Sequence, residues 1–136
     1  QAASCLVTGL GNLSRALVGL GHLERARGAA QECMRLAMGG GASSRCACSL
    51  EPAVGLAVAL GEHDRAVRFF SAAEANRHQL HLLREPADEG FIAPLVARAR
   101  EALGEARYAA AFDSGLRMPF MDMFAEALHW LERAAH

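Results

Sequence analysis

Val18-Gly19-Leu20-Gly21-His22-Leu23-Glu24-Arg25-Ala26 returns at an offset of 40 as Val58-Ala59-Leu60-Gly61-Glu62-His63-Asp64-Arg65-Ala66, with Val, Leu, Gly, Arg and Ala in register. A shorter copy follows as Leu103-Gly104-Glu105-Ala106-Arg107-Tyr108-Ala109. Each copy reads the same way: an apolar helix runs into Leu, stops at a Gly able to adopt the left-handed cap, and restarts with acidic residues in the next first turn. The unit is a helical hairpin with a very short turn, and its recurrence makes the chain an array.

Outward from these turns the helical period continues. Leu6, Leu10, Leu13, Leu17 and Leu20 fall at steps of three and four, which predicts one buried stripe. In the second unit Val54, Ala57 and Leu60 precede the turn, and Ala66, Phe69, Phe70 and Ala73 follow it. Gly39-Gly40-Gly41 with Ser43-Ser44 closes the first hairpin and offers a new N-cap. Arg84-Glu85-Pro86-Ala87-Asp88 closes the second, with Asp88 as the expected cap of a helix carrying Phe91, Leu95, Ala99 and Leu103. Ser114-Gly115 is expected to stop the next helix, and Pro119 to sit in the first turn of a last one. Pro52 either opens a short helix or kinks a longer one. The expectation is all-α, antiparallel hairpins stacked as a repeat array of six or seven helices, near 3–20, 22–38, 44–60, 62–82, 88–103, 105–114 and 119–135.

Composition narrows the function. The 136 residues carry 14 basic and 15 acidic side chains, all the basic ones arginine, for a net charge of −1. Such interleaved charge provides no basic face for a phosphate backbone, so direct nucleic-acid binding is not expected. Apolar runs fall short of the roughly 18 residues a bilayer span needs, and no signal pattern opens the chain, which places it in the cytoplasm without a membrane partner. Cys5, Cys33, Cys46 and Cys48 show no framework of bridges and read as reduced thiols. The chain starts at Gln1 inside a helical pattern, so residues 1–136 read as a single domain excised from a longer protein.

At the turns the sequence resembles tetratricopeptide-like repeats, which place a small residue at the turn and Ala five positions later. Gly21 with Ala26, Gly61 with Ala66 and Gly104 with Ala109 keep that spacing, while the period of about 40 departs from the 34-residue pattern. Leu60-Gly61-Glu62-His63-Asp64-Arg65-Ala66, Ala72-Ala73-Glu74-Ala75, Leu103-Gly104-Glu105 and Ala125-Glu126-Ala127-Leu128 follow in order. As a set they resemble the C-terminal helical-repeat region of ATP-binding bacterial transcriptional regulators of the LuxR and AfsR type, over roughly residues 45–130. The resemblance implies a sensing and scaffolding arm whose nucleotide and DNA chemistry lies in other domains. Neither a G-x-x-x-x-G-K-[ST] loop nor a helix-turn-helix pattern occurs here.

No catalytic motif stands out, and the chain is not expected to be an enzyme or to need a cofactor. A metal or hydrolytic centre would have to draw on Cys46, Cys48, His78 and His81; the two histidines suit one helix face, but Cys-x-Cys splays on a helix. A small-ligand sensor would place an apolar pocket among Phe69, Phe70, Phe91 and Phe112. The favoured reading is a regulatory domain binding a protein partner, other domains of its own chain, or a second copy. The first helix of each hairpin lines the concave face of a repeat superhelix, which selects Asn12, Arg15, Glu51 and Arg98. The last helix has too many large apolar residues for one stripe. With Phe120, Met123, Phe124 and Leu128 facing the core, Met121 and Trp130 are expected outside it as docking residues.

Overall fold

The computed structural model describes the backbone of residues 2–39, 43–84 and 86–133, and the side chains of 6–39, 49–84 and 86–133. All regular structure among these residues is helical: α1 (Ala2–Gly19), α2 (Leu23–Gly39), α3 (Ser43–Ala59), α4 (His63–Gln79), α5 (Pro86–Leu103), α6 (Glu105–Arg117) and α7 (Phe120–Arg133).

The repeated turns form as their chemistry requires. Gly21, Gly61 and Gly104 have φ of 80°, 80° and 81°, the left-handed region where a side chain is strained. The first two close the same double cap: Gly21 N–H donates to Val18 O and His22 N–H to Leu17 O, as Gly61 and Glu62 donate to Val58 O and Ala57 O. A third cap of this pattern ends α4, where His81 N–H meets His78 O, Leu82 N–H meets Arg77 O, and His81 takes a φ of 56°. Histidine occupies the glycine position there, so α4 stops at Gln79 rather than near 82.

Direction follows from side-chain bonds between helices. Ser14 Oγ donates to Ala26 O at 2.9 Å and Cys33 Sγ to Val7 O at 3.3 Å, so α1 and α2 run antiparallel. Buried Ala26, Ala29, Ala30 and Ala37 let them approach closely. α3 packs on α1, α2, α4 and α5, and its segment from Leu50 to Val58 is buried throughout. Pro52 lies inside α3 and neither opens nor ends it.

The third unit departs from the first two. Ala26 and Ala66 are buried but Ala109 is exposed, and α6 takes more of its packing from α4 than from α5. The reason is Gly115, which does not stop α6 but sits buried inside it: a Cβ there would collide with Ser71 Oγ and the Arg68 carbonyl oxygen of α4. Asp88, expected as a cap, lies within the first turn of α5, behind Pro86. The expected cap at Ser43-Ser44 lies outside the described side chains.

α7 turns back across the molecule. Met118 is extended (φ −83°, ψ 132°), as the residue before a proline prefers, and Pro119 O accepts the Asp122 and Met123 amides that begin α7. The helix packs on α2, α3 and α4, buried along Met123, Phe124, Ala127, Trp130 and Leu131. Arg35 Nη2 reaches Glu132 at 2.9 Å, and Arg68 grips Glu126 with two bonds of 2.6 and 3.1 Å. Phe124 and Phe69 are fully buried, each contributing about 1.5–3 kcal/mol of transfer free energy.

Candidate functional site

Glu51 stands in the middle of α3 with none of its surface exposed, and a cluster of arginines is built on it. Arg84, in the α4–α5 connection, donates from Nε and Nη2 to Glu51 Oε2 at 2.9 and 2.8 Å. Arg77 Nη2 of α4 reaches the same oxygen at 3.3 Å. Arg15 Nη2 of α1 lies 3.8 Å from Glu51 Oε1 and 3.7 Å from Asp88, while its Nη1 donates to Asn12 Oδ1 at 2.9 Å. Arg84 also bonds Glu74 and, through Nη1, Glu89 at 3.1 Å. Two rings flank the cluster: Arg84 lies 5.6 Å from the Phe70 centroid and Arg15 the same distance from Phe91.

Burial works against the charge of Arg84, but its hydrogen bonds and the charges of Glu51 and Glu74 outweigh that, and its pKa is raised above the ordinary guanidinium range. Every carboxylate of the cluster meets a guanidinium, so the arrangement clamps helices together. It ties α1, α3, α4, the connection at Arg84 and α5 to one buried oxygen pair. Asn12, Arg15 and Glu51, expected along a concave face, are engaged with one another instead: Asn12 holds Arg15, and Glu51 is core rather than surface, because three arginines compensate its charge where no water reaches. Arg98 is exposed on α5. Arg77, Arg84, Glu74 and Asp88 went unread as members; their only signal is the Glu74–Arg77 spacing of three, which usually marks a solvated pair.

Met121 is exposed as expected, with 46% of its surface free. Trp130 is not: it is 4% exposed, edge-on to Phe69 and under Arg65, because α7 folds into the side of α4. The four phenylalanines of the expected pocket are taken up by separate packing: Phe69 by Trp130, Phe70 by Phe112 and Arg84, Phe91 by Gly55 and Arg15. A cleft of about 540 Å³ opens elsewhere, between α4 and the α6–α7 connection, with Asn76, Leu116, Met118 and Phe120 on its walls. Of the conjectured metal ligands, Cys46 and Cys48 lie outside the described side chains. His78 and His81 do not share a helix face, since α4 ends between them. Among the described residues no group of three or more His, Cys, Asp or Glu could hold a metal ion, and no helix is long and apolar enough to cross a membrane.

The sequence reading missed a surface on α1. Leu17 is buried and Leu10 half-buried, but Leu6, Leu13 and Leu20, the last just past the end of α1 with its N–H still bonded to Ala16 O, are 54%, 45% and 70% exposed. The expected single stripe splits because the core-facing side of α1 is Val7, Gly11, Ser14 and Leu17, one step round the helix. Gly9 and Ala16 are exposed between the leucines. α1 has no acidic residue, and its one base, Arg15, is turned into the Glu51 cluster with 13% of its side chain exposed.

Comparison of the chain with protein-family models, with curated proteins and with solved structures finds no match.

Proposed function

We propose that this chain is a non-enzymatic helical-repeat interaction domain that docks another protein surface through α1. The observation that carries the reading is the uncharged row Leu6, Leu13 and Leu20, left open to solvent on a helix whose only charge is drawn inward. Soluble proteins scatter single exposed leucines freely, but aligned ones without intervening charge mark a contact surface. The repeated Leu-Gly turn supports stacked hairpins, a form suited to rigid display. By the resemblance of its motifs, the domain is read as the cytoplasmic repeat arm of a larger bacterial signalling or transcriptional regulator, with output chemistry in other domains. The Glu51 cluster then keeps α1 fixed to α3 and α5, so that a load on α1 is passed inward.

A photo-crosslinking residue placed at position 13, with a second chain carrying it at the exposed His129, tests this in the cell. Cross-linking to a defined protein from position 13 and not from 129 is expected. Equal or absent cross-linking at the two positions overturns the reading.

A further inference from the structure

We propose that the surface docked by α1 is α1 of a second copy of this chain, packed antiparallel along Leu6, Gly9, Leu13, Ala16 and Leu20. The inference rests on the interaction reading above and names its partner.

The five positions are spaced three, four, three and four, the alternation of a coiled-coil seam, and all five are exposed. They also alternate in size: Leu, Gly, Leu, Ala, Leu. A parallel copy in register would set leucine on leucine and leave gaps at Gly9 and Ala16. An antiparallel copy sets Leu13 against Ala16 and Leu20 against Gly9, and by symmetry the same contacts recur on the other side of the axis. Leu13 and Leu20 then each meet a small residue, the arrangement in which facing layers interdigitate, while Leu6 lies beyond the paired stretch. No heavy atom lies within 4 Å of a Cβ built on Gly9, so the space a leucine would fill is open.

Charge selects the same occupant. Thr8, Asn12 and Gly19 border the seam on its exposed side, so a second copy brings no charge that must be buried or paired. A partner helix with acidic or basic flanks would find nothing on α1 to answer it. The seam from Leu6 to Leu20 is about 21 Å long at 1.5 Å per residue. One helix face of that length falls short of the ~800 Å² per partner of a standard stable interface, so the dimer dissociates on dilution through the micromolar range.

The test is sedimentation equilibrium of the full chain over a dilution series, with Leu13→Gln and Ala16→Leu beside it and helix content checked by circular dichroism. Both substituted positions are exposed, so the fold is retained. The chain should dimerise at high concentration and Leu13→Gln should be monomeric. Ala16→Leu makes the surface more apolar yet overfills the seam, and should weaken dimerisation about tenfold or more. A monomer at all concentrations, an unaffected Leu13→Gln, or an Ala16→Leu chain that dimerises as tightly or more tightly overturns the pairing. A monomeric chain that still cross-links a different protein from position 13 overturns the pairing and leaves the interaction reading standing.

Discussion

The indole of Trp130 meets the ring of Phe69 edge-on, with centroids 5.7 Å apart and planes inclined by 62°. Arg65 covers the indole from 5.4 Å, so the last turns of α7 are keyed into α4. This fixes what the single tryptophan reports. Its emission should be that of a buried indole, weakly quenched by acrylamide, and should shift in the same denaturant range as the helical signal. Trp130→Ala should cost about 3–5 kcal/mol, as deletion of a packed aromatic does. A solvent-type emission with little loss of stability would return Trp130 to the surface.

Gly115 allows α6 to touch α4, and that reverses the usual effect of a glycine-to-alanine change. In an unobstructed helix the change stabilises by about 0.5–1 kcal/mol. Gly28 in α2 has open space around its Cβ direction, so Gly28→Ala should follow that rule. Gly115→Ala must push against Ser71 and the Arg68 carbonyl, and should destabilise by about 1–3 kcal/mol. Urea denaturation of the two variants decides the matter; equal gains would mean the helices do not approach as described.

Local chemistry made the helices readable and left their long-range partners hidden. Gly21, Gly61 and Gly104 announce their turns because a residue of positive φ is needed at a connection of only one to three residues, and the helix limits followed to within a few residues. The end of α4 was misjudged because His81 fills a role that glycine usually signals. Gly115 read as a stop because nothing in the neighbouring sequence shows that α4 lies against it. Trp130 has the same cause: helical spacing defines an apolar arc, but only the fold-back at Met118-Pro119 decides that the arc touches α2, α3 and α4 at once. Glu51 and Arg84 are 33 residues apart, and each alone resembles an ordinary solvated charge.

The Glu51 cluster predicts unequal costs for similar changes. Glu51→Gln leaves Arg77 and Arg84 buried beside a neutral group, and should destabilise by about 3–5 kcal/mol. Glu89→Gln removes a partner that is 55% exposed and should cost less than about 1 kcal/mol. Because Arg84 also holds the α4–α5 connection, Glu51→Gln should expose that segment to limited proteolysis before global unfolding, whereas Glu89→Gln should not. Matching cleavage rates in the two variants would show that Glu51 does not anchor the connection.

Glu126 supplies a pH dependence whose sign follows from its geometry. The hydrogen bonds from Arg68 hold its carboxyl below the ordinary 4.5, outweighing the upward push of partial burial, with the charges of Arg68, Arg65 and Arg133 adding to the shift. The unfolded chain therefore binds more protons than the folded one in this range, so stability rises as pH climbs through about 4.5 and is lost as pH falls through the lower folded value. With 29% of the side chain exposed, water screens the pair, and its contribution at neutral pH should stay below about 1 kcal/mol. Glu126→Gln should flatten the stability curve below about pH 4.5 and lie furthest below the parent chain above it. Raising the salt concentration should shrink that difference if the pair acts through charge, since partly exposed ions are screened over about 10 Å at 0.1 M. A difference that persists at low pH and high salt would mean that Glu126 holds α7 to α4 by packing, and that Arg68 is its neighbour rather than its partner.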